Sequence, residues 1–184
     1  MRGTTFLTSE THPLRIEPVT APSGGSIGMT FCPGKFHPGG LAGNWRRDLG
    51  LDLDRVRDWG AVAVVTLMEG HELTRYRVEE MGAEVAARGM EWLHLPIIDA
   101  GIPGPEFEAA WEEAGPRLHA WLSAGERVLL HCRGGLGRTG TVAARLLVEA
   151  GMAPGAAIAA VRAARAGTIE SRTQEAYVRG LGAK

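Results

Sequence analysis

The stretch Arg127-Val-Leu-Leu-His-Cys-Arg-Gly-Gly-Leu-Gly-Arg-Thr-Gly140 decides how the rest of the chain is read. Its first residues are those of a buried strand, Arg127 to Leu130, running on into His131-Cys132. Gly134, Gly135 and Gly137 follow, and a helix is predicted over about 138–150. In open α/β sheets ligands bind where strands end, and a glycine-rich turn there points successive backbone N–H groups inward as a nest for an anion. The helix N-terminus adds to the same field. Arg138 stands five intervening residues after Cys132 and adds a planar fork matched to two phosphate oxygens. Cys132 therefore sits in a field that favours its thiolate. A thiolate held against a bound phosphorus is placed for displacement through a cysteinyl-phosphate. Thr139, next to Arg138, offers a hydroxyl hydrogen bond to the sulfur when it leaves.

Two rival motifs fail on the same residues. Gly135-Leu-Gly-Arg-Thr-Gly140 fits a dinucleotide fingerprint, but that fold needs a further strand and an acidic residue about 20 positions on. Here alanine-rich helices follow instead. A nucleotide P-loop fails as well, because Arg138 stands in the place of its lysine and Cys132 in the place of its first glycine. A buried structural cysteine beside a turn would leave Arg138 and the three glycines unexplained.

Outward from this stretch, strands alternate with helices. Ser26 to Phe31 and Ala61 to Met68 read as strands, the second an almost unbroken apolar run, and Trp92 to Leu95 as a third. Leu14 to Ile16 is a shorter candidate. Helices are predicted around Leu53, Val56 and Trp59 with Gly60 as a stop, then over 72–88, over 106–123 with Gly115-Pro116 as a weak point, over about 154–166 and over 171–181. Val161, Ala164, Arg162 and Arg165 suit an amphipathic helix whose arginines face water. Residues 33–47 read as a glycine-rich loop, and residues 1–24 as an N-terminal arm ahead of one α/β domain over 25–184.

The chain has 184 residues, 45% of them hydrophobic, and a net charge of −1. One full core fits this length. That balance gives no global field for nucleic acid or acidic lipid, so any anion site has to be local. The two cysteines, Cys32 and Cys132, lack the spacing of a disulfide framework or a structural zinc site. No apolar run approaches the roughly 18 residues of a membrane span, and the start lacks a secretory segment. The expectation is a reduced cytoplasmic monomer that engages neither membrane nor nucleic acid.

The pattern His131-Cys132-x5-Arg138-Thr139 resembles the signature of the cysteine-based protein tyrosine phosphatases, including their dual-specificity branch. Within it, the chain is similar to the kinase-associated phosphatase group at Gly28-Met-Thr-Phe-Cys-Pro-Gly-Lys35, Glu69-Gly-His-Glu-Leu-Thr-Arg-Tyr-Arg-Val78, Pro96-Ile-Ile-Asp99 and Gly167-Thr-Ile-Glu-Ser-Arg-Thr-Gln174. The resemblance implies a single-domain tyrosine-phosphatase-like fold, with a mostly parallel central sheet flanked by helices on both faces. It implies a phosphate-binding loop of Arg133, Gly134, Gly135, Leu136, Gly137 and Arg138, with His131 supporting it. It also implies hydrolysis of phosphoprotein monoesters with no metal and no cofactor.

Ester cleavage needs an acid for the leaving oxygen. In the resembled family this is an Asp on a mobile loop some thirty residues before the nucleophile. Asp99 matches, in a Pro- and Gly-rich segment, while Glu106 and Glu108 read better as first-turn helix charges. The family places the second-step water with late glutamines. Gln174 matches one of these, and Glu170 stands where another is commonly Gln, which leaves open which of the two positions the water. Leu136 replaces a lysine found in inositol-lipid phosphatases, which favours phosphoprotein over inositol phosphate. The short chain favours a shallow, dual-specificity-like site. Lys35, Arg46 and Arg47 are candidates for the pocket rim that read better as solvated surface, and Cys32 is an oxidation-protecting partner of Cys132 only if the fold brings the two together. Sulfurtransferase or arsenate-reductase chemistry and a phosphopeptide-binding pseudophosphatase are the alternative functions.

Overall fold

The structure is a computed structural model and describes residues 5–41 and 43–183. In chain order the elements are β1 (Phe6–Leu7), β2 (Glu17–Thr20), β3 (Ser26–Phe31), β4 (Phe36–Gly40), β5 (Gly43–Arg46), α1 (Leu49–Asp58), β6 (Ala61–Thr66), α2 (Gly70–Arg75) and α3 (Met81–Ala86). They continue with β7 (Glu91–His94), α4 (Pro105–Ser123), β8 (Arg127–Cys132), α5 (Gly137–Glu149), α6 (Pro154–Ala164) and α7 (Arg172–Gly180).

Five strands form the central sheet in the order β2-β3-β8-β6-β7. β8 lies in the middle, and Val128, Leu129 and Leu130 are buried in succession, so both sheet faces are covered. α5 packs on β8 and β3, α6 on β2, α1 on β6 and α3 on β7. The mostly parallel sheet expected from the resemblance is a mixed one. β3, β8, β6 and β7 run parallel, whereas β2 is antiparallel to β3, with Glu17 opposite Met29. The reason is the short Ala21–Gly25 turn, closed by Ala21 N–H to the Gly25 carbonyl at 2.8 Å. A connection this short can join only antiparallel neighbours. The candidate strand at Leu14–Ile16 is displaced by the same geometry, and the edge strand begins at Glu17.

Two further readings change. The segment 72–88 is not one helix. It divides into α2 and α3, because Arg77 takes φ +59° and the Tyr76 carbonyl accepts from Phe36 N–H at 2.9 Å. Burial of Tyr76 and Val78 replaces the lost helical turns. Residues 33–47 are not a loop throughout: β4 and β5 pair antiparallel, and β1 adds in parallel to form a small second sheet. Proline and glycine in β4 had masked its alternation. α4 runs unbroken through Pro116.

The described helices include none long and apolar enough to cross a membrane. The carboxyl ends of β8 and β6 and the N-terminus of α5 converge on one cleft beside the small sheet.

Candidate active site

β8 delivers Cys132 to the cleft with 4% exposure, and the chain turns at once before α5 begins at Gly137. The turn is held from both sides. From inside, Gly135 N–H donates to Cys132 Sγ at 3.3 Å. Gly135 has φ +70°, and a Cβ there would lie 2.3 Å from the Thr30 carbonyl oxygen, so the loop lies down on β3 only with glycine at this point. From outside, Arg165 donates to the Gly135 carbonyl at 2.7 Å and the Gly134 carbonyl at 2.9 Å, and pairs with Glu17 of β2. Carbonyls pulled outward leave the N–H groups facing the cleft. The expectation of water-facing arginines holds for Arg162, which is exposed while donating to the Thr168 and Ile169 carbonyls, and is corrected for Arg165, whose side chain is 14% exposed because it satisfies loop carbonyls.

Arg138, in the first turn of α5, is almost wholly buried. Its Nη1 and Nη2 donate to the Glu72 carboxylate at 2.6 and 2.9 Å, and Nη1 also reaches the Ile97 carbonyl at 3.0 Å. Burial works against the guanidinium charge, but Glu72 outweighs it and pushes the Arg138 pKa above its ordinary value. Glu72 shows the same balance. Burial opposes its ionisation, yet bonds from Arg138 and from Glu69 N–H hold its carboxyl below the usual range. The pair fixes the plane and direction of the fork.

Asp99 lies on the loop after β7 and is 42% exposed in its side chain. Its Oδ1 accepts from Arg138 Nη2 at 2.9 Å, and its Oδ2 pairs with Arg133 Nη1 at 2.9 Å. Ala100 follows with φ +59°. The structure therefore brings Cys132, Arg133, Arg138 and Asp99 to one mouth, with the carboxylate spanning the two cations a phosphate would use. Glu106 is exposed, and Glu108 is bonded to Arg145 and Tyr177 away from this mouth.

Comparison with known proteins gives the same picture. The family model described as "Polymorphic toxin system, DSP-PTPase phosphatase" matches residues 44–152. Cyclin-dependent kinase inhibitor 3 of Rattus norvegicus is 31% identical over 156 residues, covering 83% of this chain and 69% of the relative. Its Homo sapiens counterpart matches with the same identity and coverage. The chain belongs to the dual-specificity branch of the cysteine-based protein tyrosine phosphatases. Among solved structures, kinase-associated phosphatase with its catalytic-site cysteine replaced by serine superposes with a TM-score of 0.80. That match has 27% identity and covers 93% of this chain and 97% of the other. The active form of Tk-PTP superposes with a TM-score of 0.67 at 28% identity, covering 91% and 97%.

The remaining residues of this dual-specificity phosphatase divide by what they touch. His131 is fully buried and its Nε2 lies 2.7 Å from Thr66 Oγ1, which also accepts from Trp92 Nε1. Burial pushes its pKa down to about 4, so it is neutral at pH 7 and fastens β8 to β6. The Thr139 hydroxyl is buried and makes no hydrogen bond, to Cys132 or to any other group. Gln174 is fully buried. Its Oε1 accepts from Glu170 N–H at 2.9 Å, and its Nε2 donates to the Gly101 carbonyl of the Asp99 loop at 3.0 Å. Glu170 and Gln174 both close over Gly137, where a Cβ would lie 2.4 Å from Glu170 Oε2. Leu136 is half-buried, and its carbonyl accepts from Gly140 and Ile169.

Of the three cations expected at the solvated surface, two behave differently. Only Arg46 is exposed. Arg47 is buried because it pairs bidentately with buried Asp52, at 2.7 Å on each oxygen, and Lys35 is 7% exposed over the Phe31 and Trp45 rings. Cys32 lies beside the nucleophile, since Phe31 is the β-ladder partner of Cys132 and Cys32 N–H donates to the Arg133 carbonyl at 3.3 Å. Burial pushes the Cys32 thiol far above its usual range, and both cysteines are free. Glu72 and Arg165 are the site residues sequence reasoning missed. A charged residue on the apolar side of a short helix was the available signal for Glu72. Arg165 had none, because its partners are backbone carbonyls 30 and 31 residues away. Among the described residues no cluster of three or more His, Cys, Asp or Glu side chains has metal-binding geometry.

Proposed function

We propose that the chain hydrolyses phosphotyrosine, and secondarily phosphoserine and phosphothreonine, monoesters on proteins through a cysteinyl-phosphate on Cys132. Residues 25–184 form the phosphatase domain, with residues 1–24 as an arm, and the enzyme acts as a cytoplasmic monomer. The carrying observation is the inward Gly135 N–H on Cys132 Sγ beneath an Arg138 fork locked by Glu72. A phosphate dianion would lie on that fork and the loop N–H groups, displacing the Asp99 carboxylate from Arg138. With both cations neutralised by substrate, Asp99 is free to carry a proton to the leaving oxygen.

The thiolate of Cys132 attacks phosphorus, the phosphorus–ester oxygen bond breaks, and that oxygen takes the Asp99 proton. In the second half Asp99 removes a proton from water, whose oxygen attacks phosphorus. The sulfur–phosphorus bond breaks, the Thr139 hydroxyl donates to the returning thiolate, and inorganic phosphate leaves. Gln174 holds the Asp99 loop through Gly101, which supports a positioning role in this half.

Cys132→Ser is expected to abolish aryl phosphate turnover while retaining substrate binding, and equal activity in that variant would refute the covalent route. Asp99→Asn is expected to lower kcat by roughly 10²–10⁴-fold, the span of an acid–base group. A change under about threefold would assign the acid elsewhere. Thiosulfate or arsenate turnover in place of phosphatase activity would overturn the reading altogether.

A further inference from the structure

Lys35 is 7% exposed, and its ammonium stands 4.6 Å from the Phe31 ring centroid and 5.0 Å from that of Trp45. It makes no ion pair and no side-chain hydrogen bond among the described residues. A buried ammonium is ordinarily paired, because leaving water is costly. Here the nearby titratable groups are Arg47, Arg133, Cys32, whose thiol is pushed far above its usual range, and Cys132, and burial lowers the Lys35 pKa to about 8. Arg47 is already matched to Asp52. Lys35 therefore has spare charge over Phe31, the strand neighbour of Cys132.

Burial, and then the charges of Lys35, Arg133 and Arg75, push the His37 imidazole below its usual range, so at neutral pH it offers a ring N–H and no charge; it packs edge-on against Tyr76 at 5.3 Å. His37, Arg75, Tyr76 and Arg77, with Phe36, Pro38 and Gly39, line a groove of about 410 Å³ that has no carboxylate in its wall. The Phe36 N–H to Tyr76 carbonyl bond ties β4 to the end of α2, so both walls are fixed to the same frame as Glu72. Positive charge from Arg133, Lys35, Arg75 and Arg77 thus gathers around His37 and the groove it lines.

We propose that Lys35, His37 and Arg75 form a second anion subsite that selects phosphopeptides carrying acidic side chains close to the scissile phosphoresidue. The inference rests on the phosphatase reading above and names its substrate class. An extended peptide advances about 3.3 Å per residue, so the acidic side chains lie within a few positions of the phosphoresidue. Lys35 supplies the partly desolvated charge, where an ion pair counts for more than at the open surface. Arg75 supplies the rim charge that sets on-rate, and His37 a neutral hydrogen-bond donor that sets registry.

The test compares kcat/KM for one phosphotyrosine peptide with an acidic flank, the same peptide with a neutral flank, and an inositol bisphosphate. Wild-type enzyme is expected to favour the acidic peptide by tenfold or more through KM, and added salt is expected to shrink that ratio. Lys35→Met and Arg75→Met are each expected to bring the ratio to within about twofold of unity. Arg75 is exposed, so its variant reads the subsite even where the buried Lys35 change impairs folding. A wild-type ratio near one, or a ratio unchanged in Arg75→Met, would overturn the subsite. An inositol bisphosphate turned over better than the acidic peptide would overturn the peptide assignment. Loss of all three activities in folded wild type would instead strike the phosphatase reading itself.

Discussion

Glu72 is a buried carboxylate that ion-pairs with the Arg138 fork, and each would be costly to bury without the other. Glu72→Gln keeps the shape but removes the charge that fixes the fork. Roughly 10–100-fold loss of kcat/KM is expected, since about 1.4 kcal/mol corresponds to tenfold. Binding of vanadate, a phosphate mimic, should weaken in parallel, which distinguishes loss of fork placement from a general loss of fold. The same charge makes stability pH-dependent. Because the folded pKa of Glu72 lies below its unfolded value, wild type should hold an advantage over Glu72→Gln at neutral pH. That advantage should fade as pH drops below the ordinary carboxylate range, measured by denaturant midpoints. At this scale Cys132, Arg138 and Asp99 were legible because their chemistry needs their own residue types at stated places. Glu72 and Arg165 were not, because they act on another side chain or on backbone carbonyls far away in sequence.

The β8–loop–α5 unit was legible as an element because each part carries its own signal: an apolar run, a glycine cluster, then a helix. The unit is also where backbone geometry is least forgiving. Gly135→Ala places a methyl against the Thr30 carbonyl and forces an alanine to positive φ. Destabilisation on the order of 1–3 kcal/mol is expected, with at least tenfold loss of kcat/KM, read by thermal melts and aryl phosphate kinetics. A variant that melts and turns over like wild type would contradict the loop geometry. The elements that sequence obscured share one cause. β4 is punctuated by Pro38 and two glycines, and the α2–α3 break depends on Tyr76 reaching across to Phe36. Tertiary contact, not local periodicity, sets both.

Across the whole molecule, the central sheet aims its carboxyl ends at one cleft, and the small sheet supplies a cationic wall beside it. That wall stores a stability cost. The folded pKa of Lys35 is lowered to about 8, so the unfolded chain binds the extra proton between about pH 8 and pH 10.5, and wild-type stability rises with pH across that window. Below pH 8 Lys35→Met should gain most relative to wild type, less the roughly 1–2 kcal/mol of cation–π attraction it gives up. The difference between the two proteins should shift toward wild type as pH climbs to about 10.5. A pH-independent difference would place the ammonium in water. The central claim, a phosphoryl group carried on Cys132, is tested most directly by rapid-quench mass spectrometry during turnover of an aryl phosphate. The account predicts the mass of one phosphoryl group on the peptide containing Cys132, accumulating further in Asp99→Asn with a good leaving group and absent in Cys132→Ser. Turnover without that adduct, or the adduct on another residue, would contradict it.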